Sequence, residues 1–370
     1  MASNRILTTH TGSLPRPASL TDRGNPVAVR AAVEEVVQLQ RSSGVDIVND
    51  GEMSKPSYAT YVTERLSGFG SERSSVVRRN RGWDEFPEFY DSQRGDPKRA
   101  AITATPRCEG PVEYKDLLQV QTDIANLKAA AGDREVFMTA ASPGIIELYM
   151  PNNFYATTEE YLFALADAMK LEYDAIHQAG IMLQLDCPDL ACAWVLQPEL
   201  TLPEFRKVVA VRLEALDHAA RDIPPEGIRL HMCWGNGEGP HHTDIPLADV
   251  IDLVLDARPA TVMFEGANPR HEHEWKVFED VKLPEGKVLA PGVLDSTTNF
   301  VEHPELVAQR IIRYADVVGK ESVMAGTDCG FATFAAFNLV DPKVAWAKLA
   351  SMAQGAAIAS DYLWGRGSRY

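Results

Sequence analysis

The sequence predicts an α/β protein folded as a (β/α)8 barrel, and three observations predict it. Eight short apolar runs each end in polar or small residues, with amphipathic helical stretches between them. That alternation is what parallel strands with crossover helices require. No Gly-rich phosphate fingerprint follows the first run, which argues against an open dinucleotide-binding sheet. The residues with chemical potential gather at the ends of the runs, where a barrel has its mouth. Barrels of this size form one unit, so the 370 residues are read as a single domain, 1–370.

The first run is Ile6-Leu7-Thr8-Thr9-His10, ending at Thr11-Gly12-Ser13. Val29, Ala32, Val33, Val36 and Val37 then recur at helical spacing up to Gly44, a fitting C-terminal cap. The second run, Asp46-Ile47-Val48-Asn49, ends at Asp50-Gly51-Glu52, and the third is Glu135-Val136-Phe137-Met138-Thr139-Ala140. Thr157 and Glu160 have capping-box spacing before a helix that reaches Gly180. The fourth run, Ile181-Met182-Leu183-Gln184-Leu185, ends at Asp186, and Thr201 with Pro203 and Glu204 opens the next helix. The fifth run, Ile228-Arg229-Leu230, leads to His231-Met232-Cys233, and the sixth, Thr261-Val262-Met263-Phe264, ends at Glu265. The seventh, Lys287-Val288-Leu289-Ala290, and the eighth, Ser322-Val323-Met324-Ala325, end at Pro291-Gly292-Val293 and Gly326-Thr327-Asp328-Cys329. A helix from about Val344 to Leu363 closes the pattern.

Residues 53–133 exceed a minimal barrel and are read as an insertion that forms a lid or substrate wall. Its middle carries Arg78, Arg79, Arg81, Trp83, Phe86, Phe89 and Tyr90. The arginines suit an anionic substrate group, or simply solubility; the same segment is a candidate contact for a homo-oligomer.

The net charge of −16 speaks against nucleic acid and anionic membranes as partners. No run has the make-up of a signal peptide or a membrane span, which points to the cytoplasm. Five scattered cysteines, an odd number, argue against a disulfide framework and for a reducing compartment. There a cysteine is either a quiet core residue or a ligand.

His231 and Cys233 stand two apart at a strand end, so imidazole and thiol point the same way. Glu265 and Cys329 end two other strands. Ends that converge on one mouth would bring one His, two Cys and one Glu together as a tetrahedral zinc shell. Thiolates favour zinc over magnesium or calcium. Two thiolates and a carboxylate make an electron-rich site, poor at activating water but able to hold a substrate thiol as thiolate near neutral pH. Cys108, Cys187 and Cys192 are read as core or lining.

The ordered set Thr8 to Pro17, Asp50-Gly51-Glu52, Gln184-Leu185-Asp186, His231-Met232-Cys233, Glu265, Pro291 to Asp295 and Gly326 to Gly330 resembles the catalytic half of cobalamin-independent methionine synthase. It resembles still more the short single-domain members of that superfamily. The resemblance implies that His231, Cys233, Glu265 and Cys329 bind zinc. It implies that Gly12 and Ser13 receive the carboxylate of an amino-acid thiol, with Glu52 and Asp186 on its ammonium. The expected activity is methyl or alkyl transfer to a thiol, homocysteine first, from a small-molecule donor. The sequence departs from the family where a histidine is thought to protonate the folate leaving group: Asp295-Ser296-Thr297-Thr298-Asn299 has none, and His303 is read as a helix cap. That puts a methyltetrahydrofolate donor in doubt. The superfamily also holds enzymes that add coenzyme M to epoxides, so epoxide–thiol transfer is one alternative; a zinc-dependent lyase or demethylase is another.

Trp234 and Asn236 are read as pocket wall, the indole suited to stacking on a flat substrate. His241 and His242 are read as solvated loop, and His271 and His273 as surface.

Overall fold

The computed structural model describes residues 4–75, 80–94, 104–335 and 338–366. Arg78 and Arg79, named above as candidates for an anionic group, lie outside the described residues.

The third to seventh runs form one parallel sheet in chain order: β1 (Phe137–Ala141), β2 (Met182–Asp186), β3 (Ile228–His231), β4 (Thr261–Phe264) and β5 (Val288–Pro291). Nearly every strand residue is buried, as expected of a parallel sheet covered on both faces. The register sets Ala141 beside Asp186 and Asp186 beside His231, so the chemical residues reach one level at the C-terminal edge.

The first, second and eighth runs make single parallel bridges rather than ladders: Val48 with Val136, Thr8 with Ala325, Leu289 with Val323 and Gly292 with Gly326. Side chains take over the backbone groups there. Thr8 N–H donates to Asp46 Oδ2 at 2.9 Å, and Asp46 N–H to Thr8 Oγ1 at 3.0 Å. A side chain that satisfies the backbone locally competes with sheet pairing.

The helices follow their caps. α1 (Pro26–Ser42) starts at Asn25, whose side chain accepts from Val27 and Ala28, and it buries the valine face read from the sequence. α2 (Leu118–Ala131) lies within the segment 53–133 and packs against α1 and against α3 (Thr158–Gln178). It is the crossover from the second run to β1, which leaves 53–117 as the excursion from the strand–helix repeat. Thr157 caps α3 through the Glu160 N–H. α4 (Leu202–Ala219) opens on a full capping box between Thr201 and Glu204. α5 (Pro304–Val318) is capped by His303, and α6 (Pro342–Leu363) packs along it. Among the described residues no helix is long and apolar enough to cross a membrane.

Two buried arginines tie these layers together. The Arg229 guanidinium donates to Gln184 Oε1 at 2.7 Å, Thr9 Oγ1 at 2.8 Å and the His10 carbonyl at 2.7 Å. It also lies 3.4 Å from the centroid of the Phe137 ring. Burial lowers it to about 9, opposed by Asp186, yet every contact rewards the charge. Arg65 pairs with Asp123 at 2.5 Å and Glu172 at 2.9 Å, while Tyr61 and Tyr114 each donate to Glu172 at 2.7 Å. This network fastens the excursion to α2 and α3.

Candidate active site

β3 delivers His231 and, past buried Met232, Cys233; the end of the eighth run delivers Cys329. Their ligand atoms lie within 4.8 Å of one another, the one such His, Cys, Asp or Glu group among the described residues. Cys329 Sγ is 3.9 Å from His231 Nε2. Asp186, opposite His231 in the sheet, places Oδ1 3.3 Å from His231 Nδ1 and accepts from Gln184 Nε2 at 2.7 Å. A carboxylate on one ring nitrogen aims the other at the sulfurs. Burial opposes charge on His231, but Asp186 and Cys233 outweigh it and raise the imidazole to about 8. Cys233 is lowered by a hydrogen bond from Cys329 against burial, and Cys329 is raised by the same bond and by burial. Two soft sulfurs and an imidazole, buried and convergent, fit a zinc ion.

Glu265, the fourth expected ligand, is outside this group. Its carboxylate accepts from Trp234 N–H at 2.8 Å, Asn268 Nδ2 at 2.7 Å and Arg270 Nη2 at 2.7 Å. Asp328 fixes the same turn, which sequence reasoning missed. Its carboxyl accepts from the N–H groups of Gly266, Ala267 and Asn268 at 2.8 to 2.9 Å, and from Asn268 Nδ2 at 2.8 Å. Burial, then Glu265, push Asp328 up to about 7 against those donors. It staples the turn after β4 to the residue preceding Cys329.

Glu52 is buried in a left-handed conformation, φ 61°, after Gly51 at φ 65°. A non-glycine residue there stores on the order of 1–3 kcal/mol of strain, a cost tolerated mainly at functional sites. Its Oε1 accepts from Thr139 Oγ1 at 2.9 Å, while Oε2 has no hydrogen-bond partner among the described residues. Burial raises the carboxyl to about 7, Lys55 opposing and Asp186 adding. Gly12, φ 140°, packs where a Cβ would meet Thr139 Cγ2 at 2.5 Å, so only glycine lets the chain pass.

These groups surround a cavity of about 100 Å³. Ser13, Glu52, Asp186, His231, Cys233 and Cys329 line it, together with Tyr58, Tyr149, Pro188 and Phe334. Gly12 sits behind the wall rather than in it. Asn236 lines the rim as expected, braced by donation to Gly330 O at 2.9 Å and Thr333 Oγ1 at 3.1 Å.

Four expectations need correction. Trp234 is not pocket wall: its indole is buried, donates to the Ile245 carbonyl at 2.7 Å and stacks on His271 with centroids 4.0 Å apart. His271 is not a surface residue; it is buried between Glu274 at 2.8 Å and Asp244 at 3.2 Å. His241 is half-buried against Asp244 at 2.8 Å, not solvated, although its neighbour His242 is exposed and meets Glu85 and Phe86. Arg81 is committed to the carbonyls of Trp194, Gln197 and Leu200 and lies over the Trp194 ring, so it serves as an anchor for the excursion. His273 is exposed and His303 is a helix cap, both as read. Tyr58, Tyr149 and Phe334 were missed because Tyr58 and Phe334 stand in irregular segments and Tyr149 ends a short helix, so none carries a spacing signal.

Residues 145–356 match the family described as "Cobalamin-independent synthase, Catalytic domain". The chain belongs to that family. Among its relatives is a methionine synthase of Thermococcus kodakarensis, 25% identical over 90% of this chain and 83% of that protein. Another, from Saccharolobus solfataricus, is 24% identical over 97% of this chain and 96% of that protein. A B12-independent methionine synthase structure from Shewanella sp. W3-18-1 superposes with a TM-score of 0.78 at 20% identity, covering 98% of this chain and 99% of that one. A putative vitamin-B12 independent methionine synthase structure from Listeria monocytogenes gives 0.67 at 16% identity, covering 96% and 98%.

Proposed function

We propose that this protein is a zinc-dependent enzyme that transfers a methyl group to the sulfur of homocysteine, forming methionine. The observation that carries the proposal is the convergence of His231, Cys233 and Cys329 on a cavity whose adjoining wall holds Glu52, Asp186 and Ser13. Family membership and the names of the relatives support it. Zinc would be held by these three residues, with Glu265 as fourth donor once its carboxylate turned from Trp234, Asn268 and Arg270, and it would keep a thiol sulfur deprotonated near neutral pH.

The protein's own groups do the rest. The open oxygen of Glu52, with Asp186, takes the substrate ammonium. Ser13, which lines the cavity, takes the carboxylate. Asp186 also orients His231 through Nδ1, so one carboxylate couples substrate placement to the metal ligands. Held at three points, the sulfur meets the donor carbon with its translational freedom already lost. In this reading the eight runs close into a ring through the Thr8 and Ala325 bridge, in a reducing cytosolic setting that keeps the sulfurs free.

The test is zinc quantification by mass spectrometry on wild type and Cys329→Ser, with methionine formation followed for each. Zinc near one per chain in wild type, lost in the variant with unchanged circular dichroism, is expected. Zinc-free, fully active wild type, or turnover without any thiol, would refute the proposal.

A further inference from the structure

We infer that the alkyl donor is a small onium ion, a sulfonium or quaternary ammonium, seated in an aromatic corner made by Tyr58, Tyr149 and Phe334. This rests on the thiol-acceptor reading above and concerns the half of the cavity which that reading leaves unused.

The corner is built, not incidental. The Tyr58 and Tyr149 rings meet at 88° with centroids 6.2 Å apart; Tyr58 and Phe334 meet at 65° and 6.3 Å. All three rings line the cavity. The Tyr58 hydroxyl donates to the Tyr149 hydroxyl at 3.1 Å, which locks the pair. Ser57 bridges to Phe334, and Ala335 N–H donates to Pro56 O at 2.9 Å, which clamps the third ring beside the first. Several aromatic faces around one space are the chemistry that recognises alkylated cations.

Charge points the same way. Glu52 and Asp186, which line the same cavity, are taken up by the substrate ammonium, and among the described residues no lysine or arginine lines it. An anionic donor fragment would have no counter-ion there.

The leaving group gives an independent argument. Among the described residues His231 is the one histidine lining the cavity, and Asp186 and the sulfurs occupy it. A tertiary amine such as the folate nitrogen must gain a proton to depart. An onium needs none. The substrate sulfur forms a bond to the methyl carbon, the carbon–heteroatom bond breaks, and its electron pair returns to the heteroatom. The positive charge is cancelled, and a neutral sulfide or amine leaves.

The probes are tetramethylammonium and trimethylsulfonium ions, applied to zinc-loaded protein with homocysteine. Tetramethylammonium binding should be measurable by calorimetry and fall about tenfold in Tyr149→Leu and in Phe334→Leu. Tyr149→Phe, which keeps the ring, should lose less. Methionine formed from either onium, and not from methyltetrahydrofolate, supports the inference. Methionine formed from methyltetrahydrofolate alone overturns it and leaves the homocysteine reading standing. Ring-dependent onium binding with no methionine from any donor supports the corner and overturns the homocysteine reading. Absence of onium binding to wild type, or binding indifferent to both leucine variants, overturns the inference whatever the donor.

Discussion

At the scale of single residues, position in the fold converts ordinary side chains into specialised ones. Glu52 is held by a left-handed backbone with one oxygen hydrogen-bonded to Thr139 and the other without a partner. Glu52→Gln keeps the shape and removes the charge. The KM for homocysteine should then rise about tenfold to a hundredfold, the worth of one charge-assisted contact, with a smaller change in kcat. Steady-state kinetics decides; an unchanged KM would remove Glu52 from ammonium binding. His271 allows a pH argument. Burial opposes its charge, but Asp244 and then Glu274 raise it to about 9 from 6.5. A histidine raised in the folded state lends stability that is complete below about pH 6.5 and is lost as pH climbs through 9. His271→Gln should therefore cost on the order of 2 kcal/mol at pH 6 and far less at pH 10. Denaturant titrations at the two pH values measure this, and equal losses at both would contradict it.

At the scale of elements, carboxylates act as staples between loop and strand. Asp328 gathers three consecutive backbone amides of the turn after β4 and the Asn268 side chain. Asp328→Ala strands those donors in a buried place. The expected loss is about 2–4 kcal/mol, with weakened zinc retention because Glu265 and Cys329 both depend on that turn. Unfolding curves and zinc competition with a chelator test the two effects separately. Arg65 plays the same part between the excursion and α2 with α3. Arg65→Met leaves Asp123 and Glu172 buried without their partner and should cost about 3–5 kcal/mol. A loss under 1 kcal/mol in urea denaturation would mean the network is not a clasp.

At the scale of the whole molecule, the core is tied together by groups outside the candidate metal cluster. The parallel sheet, the Arg229 contacts and the helix layers are complete without it. Stripping zinc with a chelator should leave the circular dichroism spectrum and a cooperative transition intact. The melting temperature should drop by several degrees, since the ion binds only the folded chain. Collapse of secondary structure on chelation would instead make the site a structural one.

Much of this was legible before any coordinates. Strand-end spacing picked out His231 and Cys233, and alternation of runs and helices placed Cys329, Glu52 and Asp186 at strand ends. Caps at Thr157, Thr201 and His303 stand where local chemistry put them. The reason is that periodicity and capping are local, and they act within a few residues of the chain. What failed was non-local. Trp234 turned inward, where its indole donates to the Ile245 carbonyl and stacks on His271, itself in the interior. Arg81 went to the carbonyls around Trp194, a contact between segments more than a hundred residues apart. The sequence by itself set the strand–helix order and placed His231, Cys233 and Cys329 at the ends of their runs. Only the tertiary structure decided that Glu265 is engaged by Trp234, Asn268 and Arg270, and that Tyr149 and Phe334 both meet Tyr58 at the cavity, because such contacts are set by packing between distant segments, which no local pattern encodes.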